Sequence, residues 1–199
     1  MIAGTLAAFI AGTAIFFVVQ GTRASLRAAA STENDLVQWS ISSRLQLDSR
    51  VANGATIYTD SLPANITTDK RRAGGQRGNL LVLSRSRNPD GSRSSSFQSL
   101  TGYLYDPDQR RLFKFDHEVS SAQQASQASL ETILTTNIAD FHLVRIADDI
   151  DPLDPAGLFV SRDVGNINAA AATFRLNEGN NRLGTADNAL VEVSFMIRN

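Results

Sequence analysis

Cysteine is absent from this 199-residue sequence, and its opening stretch lacks both charge and proline. Without cysteine, the chain has neither a disulfide framework nor a thiolate metal site, although this absence does not assign a compartment. The first charged residue is Arg23, so 22 uncharged residues open the sequence. Neither proline nor glycine occurs between Arg23 and Val51, so no residue that commonly breaks helices interrupts that stretch.

The remaining composition is that of an ordinary globular protein. Charged residues make up 20% of the chain and the net charge is −1, so overall electrostatics gives no indication of nucleic acid binding. The mean hydropathy of the whole chain is −0.14 although its first 22 residues are uncharged and mostly apolar, so the hydrophobic residues are concentrated at the N-terminus. The length suits one domain with an appendage.

The 22-residue opening run admits three interpretations. As a helix it would be about 33 Å long, enough to cross the hydrocarbon core of a bilayer. A cleaved secretory signal would use Ala28–Ala30 as its site, but the run lacks a basic start and is long for that role. A buried core helix would normally be shorter. The two arginines that follow, Arg23 and Arg27, would by themselves place the rest of the chain in the cytoplasm.

The next stretch has the pattern of an amphipathic helix. A predicted helix-to-sheet packing stripe falls on one side at helical spacing, and its members are Leu26, Val37, Ile41 and Leu45, with Ala30 between them. Leu36 and Leu47 widen the stripe. Asn53-Gly54 predicts a helix stop of the left-handed type. We therefore expect a helix over Ile2–Ala52, about 75 Å long, with a bend or melted stretch near Gly12 or Gly21.

The remainder predicts β-strands and loops. The clearest hairpin is "LTGYLYDPDQRRLFKFD", with strands at Leu100–Tyr105 and Arg110–Asp116 around a turn that contains Pro107. Other strands are expected at 55–59, 78–84, 139–147, 171–176 and 188–198, while "SSAQQASQASLE" could be a mobile insertion or a short helix. The predicted fold class is α+β, with a long helix (1–53, hydrophobic over 1–22 and amphipathic over 23–53) packed on a mainly antiparallel sheet in a head domain (54–199).

The opening residues resemble a known family. "MIAGTLAAFIAGTAIF" is similar to the hydrophobic N-terminal helix of type IV pilins, entered just after the glutamate that the family carries early in that helix. The resemblance covers about the first 25 residues closely and the rest only in architecture. The family's basic leader, processing site and glutamate are absent from this sequence. The end of the long helix and the mostly β remainder are also similar to minor pilins and J-type pseudopilins.

The resemblance implies a non-enzymatic structural subunit of a pilus or pseudopilus filament. Its implied partners are identical subunits, other pilins, the inner-membrane assembly machinery and, before assembly, the membrane. The implied location is the bacterial inner membrane and then an extracellular or periplasmic filament. The expected assembly residues are Ile2, Leu6, Phe9, Ile10, Gly12, Ile15, Phe16 and Val19. Two alternatives stay open: a minor or tip pilin that primes assembly, and a single-pass membrane-anchored binding module that does not polymerise.

Motifs for catalysis are lacking. The sequence contains no phosphate-binding loop, dinucleotide fingerprint or Gly-x-Ser-x-Gly context, and no cofactor is expected. The only histidines, His117 and His142, lie on predicted strands without metal-ligand spacing. The serine-rich loops carry a basic cluster (Lys70, Arg71, Arg72, Arg77, Arg85, Arg87 and Arg93), which we interpret as solvated surface, so nucleic acid is not an expected partner.

One acidic loop offers candidate calcium ligands. Asp148, Asp149, Asp151 and Asp154 supply hard oxygen donors within seven residues. Their spacing matches no EF-hand, and two prolines restrict the loop. We therefore interpret the loop as a solvated acidic turn and expect no bound metal.

Overall fold

The computed structural model describes residues 2–59, 66–86, 94–162, 169–176 and 190–196, and it describes the side chains of the first helix from Phe16 onwards except those of residues 27, 30, 31, 33 and 34. It is an α+β fold in which every described strand pairing is antiparallel. The helices are α1 (Ile2–Val51), α2 (Ser121–Ala125) and α3 (Leu130–Thr136). The strands are β1 (Gly54–Tyr58), β2 (Arg77–Gly78), β3 (Leu80–Arg85), β4 (Ser99–Asp106), β5 (Arg111–Glu118), β6 (Val144–Ala147), β7 (Ile150–Pro152), β8 (Phe159–Ser161), β9 (Ala169–Leu176) and β10 (Leu190–Met196).

Helix α1 is 50 residues long and is assigned as α-helix without interruption. The backbone continues in this conformation through Gly12 and Gly21, so the melted stretch expected near these residues is not observed. Thr22 and Thr32 each direct a hydroxyl to the carbonyl four residues earlier, which keeps their polar atoms within the helix. When only the residues with described side chains are considered, no helix is long and apolar enough to cross a membrane.

The chain divides into two compact units, residues 1–37 and 38–199. The first is the greater part of α1. The second contains the end of α1 and all of the strands, whereas the sequence interpretation placed the boundary after residue 53. The end of α1 belongs with the strands because Ile41 and Leu45 are fully buried there.

The described strands form two five-stranded sheets, not the single sheet that the sequence suggested. Sheet A has the order β1-β3-β4-β5-β6. Sheet B has the order β10-β9-β8-β2, and β7 also pairs with β9. The sequence pattern does not indicate a second sheet because two of its strands, β7 and β8, are only three residues long and show no alternation of apolar and polar residues.

One face of sheet A forms a hydrophobic core with helix α3. Leu80, Val82 and Leu104 pack there against Leu130 and Leu134 of α3. A close approach within this face depends on Gly102, because a Cβ at that position would lie 2.0 Å from the ring of Phe115. The Phe115 ring in turn stacks on Phe141 with a centroid separation of 4.5 Å.

The helix stop differs from the expected one. Helix α1 ends at Val51, and neither Asn53 nor Gly54 has the positive φ of a left-handed cap. The chain instead passes directly into β1, where the Asn53 amide bonds to Ser86. This side-chain contact replaces the left-handed turn.

Candidate assembly surface on helix α1

The described N-terminal part of α1 exposes consecutive large apolar side chains. Phe16, Phe17, Val18 and Val19 are 59%, 74%, 68% and 41% exposed. The two phenylalanine rings lie edge to face, 6.2 Å apart. Soluble monomers seldom leave contiguous apolar patches in water, so this run is a candidate contact surface.

The other predicted assembly residues lie on the same helix. Ile2, Leu6, Phe9, Ile10, Gly12 and Ile15 all have helical backbone, and their side chains lie outside the described part of α1. Phe16 and Val19 are therefore the predicted assembly residues whose side-chain exposure the structure describes.

The stripe predicted to pack on the sheet is only partly buried. Ile41 and Leu45 are completely buried, and Val37 is intermediate. Leu26 belongs to the first unit and its side chain is 63% exposed, so its packing on the sheet stays a prediction.

A polar contact that the sequence pattern did not reveal holds the end of α1 on sheet A. The Asp48 carboxylate lies 2.8 Å from the Lys114 ammonium on β5 and accepts a hydrogen bond from the Tyr103 hydroxyl on β4. Burial and this bond to Asp48 raise the pKa of Tyr103, so the phenol keeps its proton and remains a donor. Lys114 also contacts Asp116 at 3.3 Å. The β4–β5 hairpin thereby holds the end of α1 on sheet A through two contacts to Asp48.

Within the second unit, α1 has a second apolar face that points to solvent. Trp39, Leu47 and Val51 are 71%, 63% and 54% exposed. Helical geometry places Trp39 and Leu47 roughly opposite Ile41 and Leu45, with Val51 at the edge of this face. The prediction that Leu47 widens the buried stripe is therefore wrong, because this residue belongs to the opposite face.

The acidic loop is spread over separate ion pairs. Asp148 pairs with Arg111 at 2.9 Å, and Asp151 pairs with Arg110 at 3.6 Å. Asp154 lies 3.4 Å from Arg77, which donates a further hydrogen bond of 2.6 Å to Thr173. Asp149 has a positive φ of 55°. Across the part of the chain that the structure describes, no three acidic or histidine side chains converge into a metal-binding group.

The basic cluster is likewise divided. Arg71 pairs with Glu131 and Arg77 with Asp154, so two of its members are occupied by intramolecular contacts. Arg87 and Arg93 lie outside the described residues. The sequence alone could not identify these pairs, because their partners lie 60 and 77 positions further along the chain.

The two histidines have different surroundings. His117 lies on β5 as predicted, with its ring edge-on to Phe141 at 5.1 Å. Burial lowers the pKa of His117, although the nearby Asp140 and Glu118 act in the opposite direction. The predicted strand at His142 is wrong, because β6 begins only at Val144 after a 3₁₀ turn at Ile138–Asp140. Neither histidine belongs to a described metal-binding cluster.

Comparison with known proteins finds no matching family model, no matching curated protein and no matching solved structure.

Proposed function

We propose that this chain is the structural subunit of a filament of the type IV pilin kind, and that helix α1 is its assembly element. The observation that carries the proposal is the exposure of Phe16–Val19 on an uninterrupted 50-residue helix attached to an α+β head. The resemblance of "MIAGTLAAFIAGTAIF" to pilin helices supplies the family.

The driving force for assembly is the removal of these side chains from water. At roughly 25 cal/mol per Å² of apolar area, covering the apolar part of α1 favours either a lipid or a helix-packed environment. Small residues, at which helix backbones can approach closely, occur at Gly4, Ala7, Ala8, Ala11 and Gly12. The membrane holds the subunit before assembly, and neighbouring helices replace the lipid in the filament.

The head supplies the outer surface of the proposed filament. Asp48, Tyr103 and Lys114 fix the end of α1 to sheet A, so a load carried along the end of the helix reaches the sheet through a defined contact. The paired arginines and aspartates of the second unit remain partly exposed and can contribute salt-sensitive contacts between heads.

The test introduces the same arginine at two exposed positions. Phe17→Arg places a charge on the proposed packing surface, where neither lipid tails nor the neighbouring helices can easily solvate it. Thr136→Arg, at the exposed end of α3, is the control. Electron microscopy of sheared surface material should show filaments with wild type and Thr136→Arg, and none with Phe17→Arg.

Two results would contradict the proposal. Filaments that contain the Phe17→Arg protein would show that this part of α1 is not their packed core. A wild-type protein that stays membrane-bound and never polymerises would favour the membrane-anchored binding module instead.

A further inference from the structure

The junction between α1 and β1 contains the only Asn-Gly pair in the sequence, Asn53-Gly54. This pair is chemically labile because glycine has no side chain to shield its backbone nitrogen. The nitrogen can attack the amide carbon of the preceding asparagine, which closes a cyclic imide and expels ammonia. Water then opens the ring to leave either aspartate or isoaspartate, so water is the only co-reactant.

The structure holds the Asn53 amide in place from both ends. Its Oδ1 accepts a hydrogen bond of 2.8 Å from the Ser86 backbone N–H, and its Nδ2 donates one of 3.0 Å to the Ser86 hydroxyl. The Asn53 backbone N–H also donates to the Ser84 carbonyl at 3.0 Å. These bonds hold the side chain toward Ser86, so they oppose its rotation toward the Gly54 nitrogen.

Both residues of the labile pair have a structural role. A Cβ at position 54 would lie 2.6 Å from the Ser84 hydroxyl, directly across the β1–β3 ladder, so a larger residue there would force that hydroxyl to rotate away. The paired contact with Ser86 needs both a donor and an acceptor on the side chain of residue 53, and an amide provides both. The contacts of the junction therefore involve both residues of the reactive Asn53-Gly54 pair.

We propose that Asn53 is a latent deamidation site and that Ser86 is the residue that holds the reaction back. Asn53 is only partly buried, so water can reach it once the amide is released. The isoaspartate product would add one backbone carbon between the end of α1 and β1. Because β1 pairs residue for residue with β3 from Gly54 onwards, this insertion would disturb the edge of sheet A.

The experiment follows deamidation in the full-length protein at mildly alkaline pH by mass spectrometry of the peptide that contains Asn53. The samples are the folded wild type, the wild type unfolded in urea, Ser86→Ala and the control Ser126→Ala, which makes the same change at the exposed C-cap of α2. Because Ser86→Ala removes one typical hydrogen bond to the Asn53 amide, we expect the deamidation rate of Asn53 to be about fivefold higher in this variant than in the folded wild type. Ser126→Ala should match the wild type, and urea should accelerate the reaction further.

Either of two outcomes would overturn the proposal. Equal rates in folded and urea-unfolded wild type would show that the fold does not protect Asn53, and this comparison needs no variant to fold. Equal rates in the two serine variants would show that the Ser86 hydroxyl does not protect Asn53, which would overturn the role proposed for the Ser86 side chain.

Discussion

At the scale of single residues, Glu131 joins three separate parts of the second unit. It lies on α3, is 8% exposed, and accepts a hydrogen bond of 2.9 Å from the Tyr58 hydroxyl on β1. The Arg71 guanidinium donates to the same oxygen. Burial raises the pKa of Glu131, but the bonds from Arg71, from its own backbone and from Tyr58 outweigh that effect, and the net pKa lies below its usual range.

We expect Glu131→Gln to lower the free energy of unfolding by about 1–2 kcal/mol at neutral pH, because it removes a charge-assisted hydrogen bond. The native pKa of Glu131 is depressed, so this contribution is complete above the unfolded pKa of roughly 4.3 and is lost as the pH falls through the native pKa. Urea unfolding should therefore show a difference between wild type and variant that shrinks in acid. Glu118→Gln, at the exposed end of β5, is the control. A difference that persists unchanged in acid would contradict this account.

At the scale of secondary-structure elements, the contact between α1 and the β4–β5 hairpin depends on Asp48. We expect Asp48→Ala to lower the free energy of unfolding by about 1–3 kcal/mol, because Tyr103 and Lys114 each lose a partly buried acceptor. Asp35→Ala, at an exposed position of the same helix, makes an identical change outside the second unit. Denaturant unfolding followed by circular dichroism measures both. Equal stability of the two variants would mean that the Asp48 contact contributes nothing measurable.

The same elements show how far the sequence could be interpreted. The long helix and the β4–β5 hairpin were predicted because their signals are local: an absence of proline in one and Asp106-Pro107 in the other. The positive φ of 56° at Arg110, which closes that hairpin, has no comparable local signal. The α2–α3 segment stayed open between a mobile insertion and a short helix, and the structure shows two short helices.

What the sequence could not supply was mainly non-local. The partners of Asp48 lie 55 and 66 positions away, and those of Glu131 lie 60 and 73 positions away, so no spacing rule connects them. Of the candidate assembly site, the sequence identified Phe16 and Val19 by hydrophobicity alone. The outward position of Trp39 and Leu47 required knowledge of which helix face meets the sheet.

At the scale of the whole molecule, the division of the chain into two units predicts that the residues needed for folding can be separated from those needed for assembly. Ile41, Leu45 and Asp48, which hold the end of α1 on the strands, all belong to the second unit. Phe16–Val19, the described part of the proposed assembly surface, belong to the first. Removal of the first unit should therefore remove the apolar surface and leave the folded core intact.

We expect a fragment of residues 38–199 to unfold cooperatively with a Tm within about 4 °C of the full-length protein in detergent, a shift equivalent to roughly 1–2 kcal/mol for a chain of this size. The fragment should also sediment as a monomer. A second fragment, residues 54–199, lacks Ile41 and Leu45 as well, and the loss of two buried aliphatic side chains should destabilise it by several kcal/mol. Calorimetry of both fragments measures their Tm, and analytical sedimentation measures their state of association. If residues 38–199 fail to fold, the core depends on the first unit, and if they polymerise into filaments, assembly does not need the apolar surface of α1.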